Sequence, residues 1–307
     1  MNFLYCLDKN YNIQAFVSIY SLLENISTEI NIFIIHKDPK TFQKYKKKLL
    51  RHKNLNELII YQFNSYANFP NLEDAHISEA TYYRLYIDDY IDKNIESLIY
   101  LDADTVIVNH ISEEFYKIME DLIDSDYSIA VKKESVNTEH LKNIKMKSEK
   151  YFNAGVMFID YKKWIANNIG SKLQLRQDEI KKVIKFWDQD VLNSLFDGEY
   201  QELNEINNYK VDVDDKSQPM IASYINVVHY MGKSKPWTVR GVVNKNSIHY
   251  QDIYKKLFYL PYHISTNWKQ QAYDDLKTII KNKREFEIKN RLGLILSALY
   301  FLVKKRG

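Results

Sequence analysis

A single cysteine, Cys6, is all the thiol in this chain of 307 residues. One thiol can form neither an internal disulfide nor a thiolate metal cluster. It lies in the strand-like run Phe3–Leu7, which predicts a buried, inert group. Glycine is nearly as scarce, with seven residues at positions 155, 170, 198, 232, 241, 293 and 307. No two have the spacing of a dinucleotide fingerprint or a P-loop. Any phosphate must therefore be held by a cation, by lysines or by helix N-termini. No basic stretch leading into an apolar one opens the chain, which predicts a cytoplasmic protein without a secretory leader. The net charge of +3 is too small to argue for nucleic acid as a partner.

The apolar run Leu292–Val303 would cover about 18 Å as a helix, against about 30 Å of hydrocarbon, so it cannot cross a bilayer. Arg291 precedes it, and Lys304, Lys305 and Arg306 follow it. Two settings fit: the interface at the inner face of an anionic membrane, or a terminal helix docked on the core. Against these shortages stand 45% apolar residues, enough for one large domain with an appendage. The 25 tyrosines suit the packing of sugar C–H faces, though half-buried structural tyrosines are common everywhere.

Short apolar runs at 3–7, 30–36, 57–63 and 97–101 read as strands, and helical patterns fill 15–24, 41–51 and 78–90. Ser78 and Pro39 supply helix starts. Such alternation predicts βαβ units, an α/β fold with a mainly parallel sheet, and ligands at the carboxyl ends of the strands. Residues 132–150, rich in Lys and Glu, read as a solvated excursion. From about 251 onward the pattern is basic and helical, so the chain divides into a catalytic domain over 1–250 and a tail over 251–307.

Chemistry concentrates in Leu98-Ile-Tyr-Leu-Asp102-Ala-Asp104-Thr-Val-Ile-Val108. Two carboxylates leave an otherwise apolar strand, where their desolvation needs compensation. A hard divalent cation provides it and can also hold a diphosphate. A rival class, the haloacid-dehalogenase-type phosphatases, also opens on a strand ending in Asp-x-Asp. There the motif lies near the N-terminus, whereas here three apparent βα units precede it. The chain also has no Gly-Asp pair to complete such a site.

Further motifs surround this one. Asp8-Lys-Asn10-Tyr11 follows the first strand, and His76-Ile-Ser-Glu-Ala-Thr-Tyr-Tyr-Arg84 precedes the paired aspartates. After them come Phe152-Asn153-Ala154-Gly155, Trp187-Asp188-Gln189-Asp190-Val-Leu-Asn193, and His229-Tyr-Met-Gly232-Lys-Ser-Lys235-Pro236-Trp237. In order and spacing over residues 1 to about 240 the chain resembles glycosyltransferase family 8. Within that family it is most similar to bacterial lipooligosaccharide α-galactosyltransferases.

The resemblance implies a GT-A, Rossmann-like nucleotide-diphospho-sugar fold and a retaining hexosyl transfer. Its donor would be UDP-galactose, or alternatively UDP-glucose, with Mn²⁺ or Mg²⁺. A cell-surface polysaccharide, glycolipid or glycoprotein would be the acceptor. It assigns Asp102, Asp104 and His229 to the metal, and Asp8, Asn10 and Tyr11 to the uracil and ribose. Ala103 falls where backbone nears the ribose, and Arg84 at the sugar or diphosphate. Asn153, Asp188 and Gln189 would line the hexose, and Gly232 with Lys235 would form a diphosphate turn. Gln189 matches the place under the anomeric carbon, and Asp190 is an outlying candidate nucleophile. A non-catalytic UDP-sugar-binding protein is the second alternative. Each residue also has a plainer reading. His229 could be a hydrogen-bonded core histidine, Arg84 a surface ion pair, and Asp188 and Asp190 the acidic first turn of a helix.

Overall fold

The computed structural model describes residues 1–64, 69, 78–260, 262–265, 269–281 and 288–303. Each apolar run of the first hundred residues is a strand: β1 (Asn2–Leu7), β2 (Ile30–His36), β3 (Leu55–Gln62) and β4 (Ser97–Leu101). Later strands are β5 (Thr105–Ile107), β6 (Ile129–Glu134), β7 (Tyr151–Asp160) and the two-residue β8 (Gln201–Glu202). A sheet in the order β3-β2-β1-β4-β7-β6-β8 results. Pairing is parallel from β3 through β4 and between β6 and β8, and antiparallel on both sides of β7. The fold is α/β with a mainly parallel sheet, as the alternating pattern predicts. All ten residues of β7 are buried, as befits a strand covered on both faces.

Helices α1 (Asn12–Asn25), α2 (Gln43–Leu49), α3 (Glu113–Asp124), α4 (Thr138–Asn143), α5 (Tyr161–Ala166), α6 (Ile169–Ile180) and α7 (Trp187–Phe196) flank the strands. One expectation is refined and a second corrected. Residues 79–89 form a 3-10 helix capped by the Ser78 hydroxyl, with a kink at Tyr86, and not an α-helix. The Arg84 guanidinium takes the Thr81 carbonyl that an α-helix would offer to the Leu85 amide. Residues 132–150 are also no solvated excursion. Leu141, Ile144 and Met146 join the main core, and His140 is buried. The charged residues between them face water, so the mean polarity of the segment hid an amphipathic one.

Compactness divides the chain into two units. The first runs to Tyr209 and takes back Tyr224–His229, so it includes most of β10 (Val227–Tyr230), which pairs antiparallel with β5. After β9 (Tyr209–Val211), the second unit holds Lys210–Ser223 and the chain from Tyr230 on. Its helices are α8 (Val239–Val242), α9 (Ile248–Phe258), α10 (Lys269–Lys281) and α11 (Ile288–Val303). Within it Trp237, Tyr250 and Tyr254 surround the His263 ring, and burial lowers that imidazole to about 3. On α11, Leu294 and Ile295 pack toward Val239 and Ile279. Leu292, Leu296, Leu299, Tyr300 and Val303 form an exposed stripe at helical spacing. Among the described residues no helix is long and apolar enough to cross a membrane.

Candidate active site

The chemistry gathers where β4 ends. Asp102 is the first residue past the strand, and its amide donates to the Gly155 carbonyl on β7 at 2.8 Å. The Thr105 amide and hydroxyl both return to the Asp102 carbonyl, closing a turn around buried Ala103. Strand β10 then pairs His229 opposite Thr105. This brings Nε2 of His229 to 3.2 Å from an oxygen of Asp104 and 3.8 Å from one of Asp102. One ligand atom from each of the three residues lies within 4.8 Å of the others. Neighbouring ligands around an octahedral Mg²⁺-sized ion are about 3 Å apart, so this set has the right dimensions. Two carboxylates and an imidazole also suit a borderline-hard divalent cation.

Gly155 makes that approach possible. A Cβ at this position would lie 2.0 Å from the His229 ring, so only glycine lets the imidazole rest on β7. Asp8 stands at the end of β1, capping the short helix at 9–11 and accepting from the Ser78 hydroxyl at 2.6 Å. Asn10 is exposed beside it and donates its amide proton to Asp8. Burial, then the charges of Asp104, Asp8 and Asp102, push the Tyr11 phenol upward, which keeps it protonated.

Arg84 is 4% exposed and is no surface ion pair. Its Nε lies 2.5 Å from Asp188, its Nη1 donates to the Ala154 carbonyl, and its Nη2 lies 3.4 Å from Asp102. The guanidinium also stacks over Tyr100, whose hydroxyl donates to Asp102 at 2.6 Å. Arg84 thus orients two of the expected site carboxylates. Burial raises the Asp188 carboxyl to about 7, against the pull of Arg84 and with the Asp102 charge adding to the rise.

Asp188 and Asp190 do stand in the acidic first turn of α7, so the plain reading and the functional one coincide there. Trp187 just before them sits at φ 51, a left-handed conformation that costs a non-glycine residue about 1–3 kcal/mol. The Gln189 oxygen accepts from the Ala154 amide at 3.1 Å and from Asn153 at 3.3 Å. Its nitrogen donates to the Tyr151 hydroxyl and to Glu134. Asp190 has no exposed surface. One oxygen accepts from Tyr151 and contacts His140, and the other accepts from the amides of Lys185 and Phe186. With both oxygens occupied, this carboxylate has the setting of a structural anchor, against the expectation of a nucleophile.

Gly232 and Lys235 belong to the second unit. Gly232 turns the chain at φ 83, the left-handed region that favours glycine, and Lys235 donates to the Tyr230 carbonyl. The motif that begins at His76 starts just outside the described residues.

Sequence reasoning did not single out Glu134, Tyr151, Asn193 or Asn208. Asn193 ties α7 to β7 through both the amide and the carbonyl of Phe152, and it stood at the end of a quoted motif. Asn208 touches both His229 and Asn153, and nothing in its local sequence marks it.

A mainly parallel sheet with Asp-x-Asp past β4, a histidine on β10 and an Asp-Gln pair in the first turn of α7 is the architecture of a GT-A glycosyltransferase. The chain belongs to glycosyl transferase family 8, whose sequence profile matches residues 2–241. It is 30% identical over 249 residues to a putative glycosyltransferase of Haemophilus influenzae, covering 77% of this chain and 73% of that protein. It is 29% identical over 251 residues to a lipopolysaccharide 1,2-glucosyltransferase of Escherichia coli, covering 75% and 71%. Among solved structures it resembles galactosyltransferase LgtC in complex with donor and acceptor sugar analogues. There the TM-score is 0.68 at 25% identity, over 85% of this chain and 98% of that one. The phosphatase reading of Asp102-x-Asp104 falls with this assignment.

Proposed function

We propose that this glycosyltransferase moves galactose, or glucose, from the UDP-sugar to an acceptor glycan of the cell surface, with retention of configuration. The single observation that carries the reading is the meeting of Asp102, Asp104 and the Nε2 face of His229 at one strand end. These residues would hold Mn²⁺ or Mg²⁺, which supplies positive charge to the departing diphosphate. Asp8, Asn10 and Tyr11 would grip the nucleoside, and Asn153 and Asp188 the hexose hydroxyls. Lys235 would add a point charge on the diphosphate and Gly232 the turn that presents it.

Retention through a covalent intermediate needs a free carboxylate beneath the sugar. Asp190 is saturated, and Gln189 offers a neutral amide, which is a poor nucleophile. Front-face transfer fits better. The glycosidic C–O bond to UDP breaks as the acceptor oxygen bonds to the same face of the anomeric carbon. The leaving diphosphate oxygen takes the acceptor proton, and the Gln189 dipole supports the cationic sugar.

Calorimetry of UDP binding tests the reading. Affinity for UDP is expected to fall at least tenfold when a chelator replaces Mn²⁺, and mixing with UDP-galactose or UDP-glucose to release UDP. Chelator-independent affinity would overturn the metal assignment, and tight donor binding without UDP release would leave a binding protein.

The tail adds a surface to this reading. The exposed stripe on α11 is followed in sequence by Lys304, Lys305 and Arg306, which complements an anionic bilayer. Such binding would place the enzyme beside a lipid-linked acceptor. Co-sedimentation with phosphatidylglycerol vesicles is expected, and to be lost in the double variant Leu296→Asp, Tyr300→Asp. Equal sedimentation of the variant, or none with wild type, removes the membrane from the proposal.

A further inference from the structure

The ring of His229 can serve a cation only if Nε2 carries a lone pair, so what fixes its proton on Nδ1 matters. The answer can be followed from a backbone amide. The N–H of Gly155 can only donate, and it points at the Asn153 side-chain oxygen at 3.0 Å. That contact fixes which end of the Asn153 amide is oxygen. The same oxygen faces the side chain of Asn208 at 3.0 Å, so Asn208 must present its NH₂ there. Its own oxygen is then turned toward Nδ1 of His229, 3.1 Å away. An oxygen without hydrogens can only accept, so Nδ1 carries a proton, and Nε2, 3.2 Å from Asp104, is the nitrogen that faces the aspartates and can offer a lone pair to a cation held there.

Nothing along this path is open to water. Asn153 is 6% exposed, Asn208 2% and His229 4%. Solvent therefore supplies no substitute partner for any of the three, and a reversed amide would set donor against donor or acceptor against acceptor inside the core. The other end of Asn153 donates to the Gln189 oxygen at 3.3 Å, which the Ala154 amide fixes from its own side. One chain of hydrogen bonds thus runs from the expected hexose pocket to the expected metal ligand. Gly155 both starts it and, by lacking a Cβ, leaves space for the ring at its end.

We propose that Asn208 is a positioning residue that holds His229 in its Nδ1-protonated form and so makes Nε2 the ligating atom. The proposal rests on the metal reading above and adds to it a residue that no sequence motif carries. Outer-shell partners of a ligating histidine are typically worth about 10- to 100-fold in metal affinity. Asn208→Ala removes both hydrogen bonds. Asn208→Asp keeps an acceptor for Nδ1 but loses the donor to Asn153.

Three measurements test this. In wild type labelled with ¹⁵N-histidine, the His229 signals, assigned by their loss in His229→Gln, are expected to report a proton on Nδ1. In Asn208→Ala those signals move toward the other tautomer. Mn²⁺ dissociation in the presence of UDP, read from the spin resonance of the free ion, weakens about 10- to 100-fold in that variant. Asn208→Asp stays within a few-fold of wild type in Mn²⁺ affinity while its KM for UDP-sugar rises, a split that a general loss of packing would not give. A wild-type His229 whose Nδ1 carries no proton overturns the proposal without any variant needing to fold. So does an Asn208→Ala protein with unchanged Mn²⁺ affinity. A correct tautomer in a wild type that binds no Mn²⁺ would fell the metal reading itself, and the purpose of the relay with it.

Discussion

Asp104→Asn is expected to cut kcat/KM for sugar transfer by about three orders of magnitude or more while leaving the metal-free protein at least as stable as wild type. The first half follows from charge. Stabilising a departing diphosphate through a cation is worth several kcal/mol, and each 1.36 kcal/mol is tenfold in rate. The second half follows from the same carboxylates without a cation. Asp102, Asp104 and Asp8 then crowd like charges around Tyr11, whose phenol is pushed upward by all three. Removing one such charge relieves repulsion in the empty state. A higher or equal Tm without metal, combined with lost transfer and lost Mn²⁺-dependent UDP binding, is the signature of a functional carboxylate. Asp102→Asn is expected to lose as much activity but to destabilise as well. Asp102 accepts from Tyr100 and faces the Arg84 guanidinium, so it is part of the packing and Asp104 is less so. Residual transfer above about a tenth of wild type in Asp104→Asn would remove it from the ligand set.

Arg84→Met carries the largest stability effect, because it leaves Asp188 buried at 2% exposure without its cation. Breaking a buried pair by removing one partner typically costs about 3–5 kcal/mol. The loss has a pH dependence of definite sign. The Asp188 carboxyl is raised in the folded protein to about 7 by burial, with Arg84 already opposing the rise. A carboxyl raised on folding binds its proton more tightly when native, so its contribution falls as pH climbs from the unfolded value of about 4 to the folded one. In wild type that decline ends near neutrality. Without Arg84 it extends upward. Denaturant unfolding is therefore expected to show a gap between Arg84→Met and wild type that widens from pH 6 to pH 8.5. A gap independent of pH would mean that Arg84 acts through packing over Tyr100 and not through Asp188. Activity should fall as Asp188 becomes protonated below neutrality, since a protonated carboxyl cannot accept from the sugar hydroxyls in the same way.

On the proposed reading, the two variants would divide the site into residues that bind a cation and residues that orient them. Asp104 and His229 would be of the first kind, since they approach each other to 3.2 Å. Arg84, Asn208, Asn193 and Asp190 belong to the second, since their polar atoms are turned inward onto other residues. Asp190 shows how the distinction arises. It sits in the same first turn of α7 as Asp188, two residues along, and chain position alone gives both the same chances. Burial against Tyr151, His140 and two backbone amides commits it to structure.

Much of the architecture was legible from local pattern. Apolar runs of five to seven residues separated by helical stretches put β1 to β4 within two residues of where they lie. The Asp-x-Asp after β4 marked the place of chemistry, because acids at the end of a buried strand need compensation wherever they occur. Local pattern misled where averages hid geometry. The segment 132–150 looked solvated because its charged residues outnumber the three apolar ones that enter the core. The plainer reading of Arg84 as a surface ion pair fails because nothing in its own helix reveals that its partners are Asp188, Asp102 and a carbonyl on β7.

By itself the amino-acid order settled the class of fold and the motif at its centre, which rest on periodicity and on short spacings along the chain, and the resemblance of its ordered motifs pointed to the family. Only the folded chain decided that Gly155 yields its Cβ space to the His229 ring and that Asn208 lies against Nδ1 of that ring. Those are contacts between residues 50 or more positions apart, apart from the 21 that separate Asn208 from His229. A hydrogen bond or ion pair forms wherever sheet pairing brings donor and acceptor together, and pairing is fixed by the register of whole strands packed on a common core, which no local window of the sequence encodes.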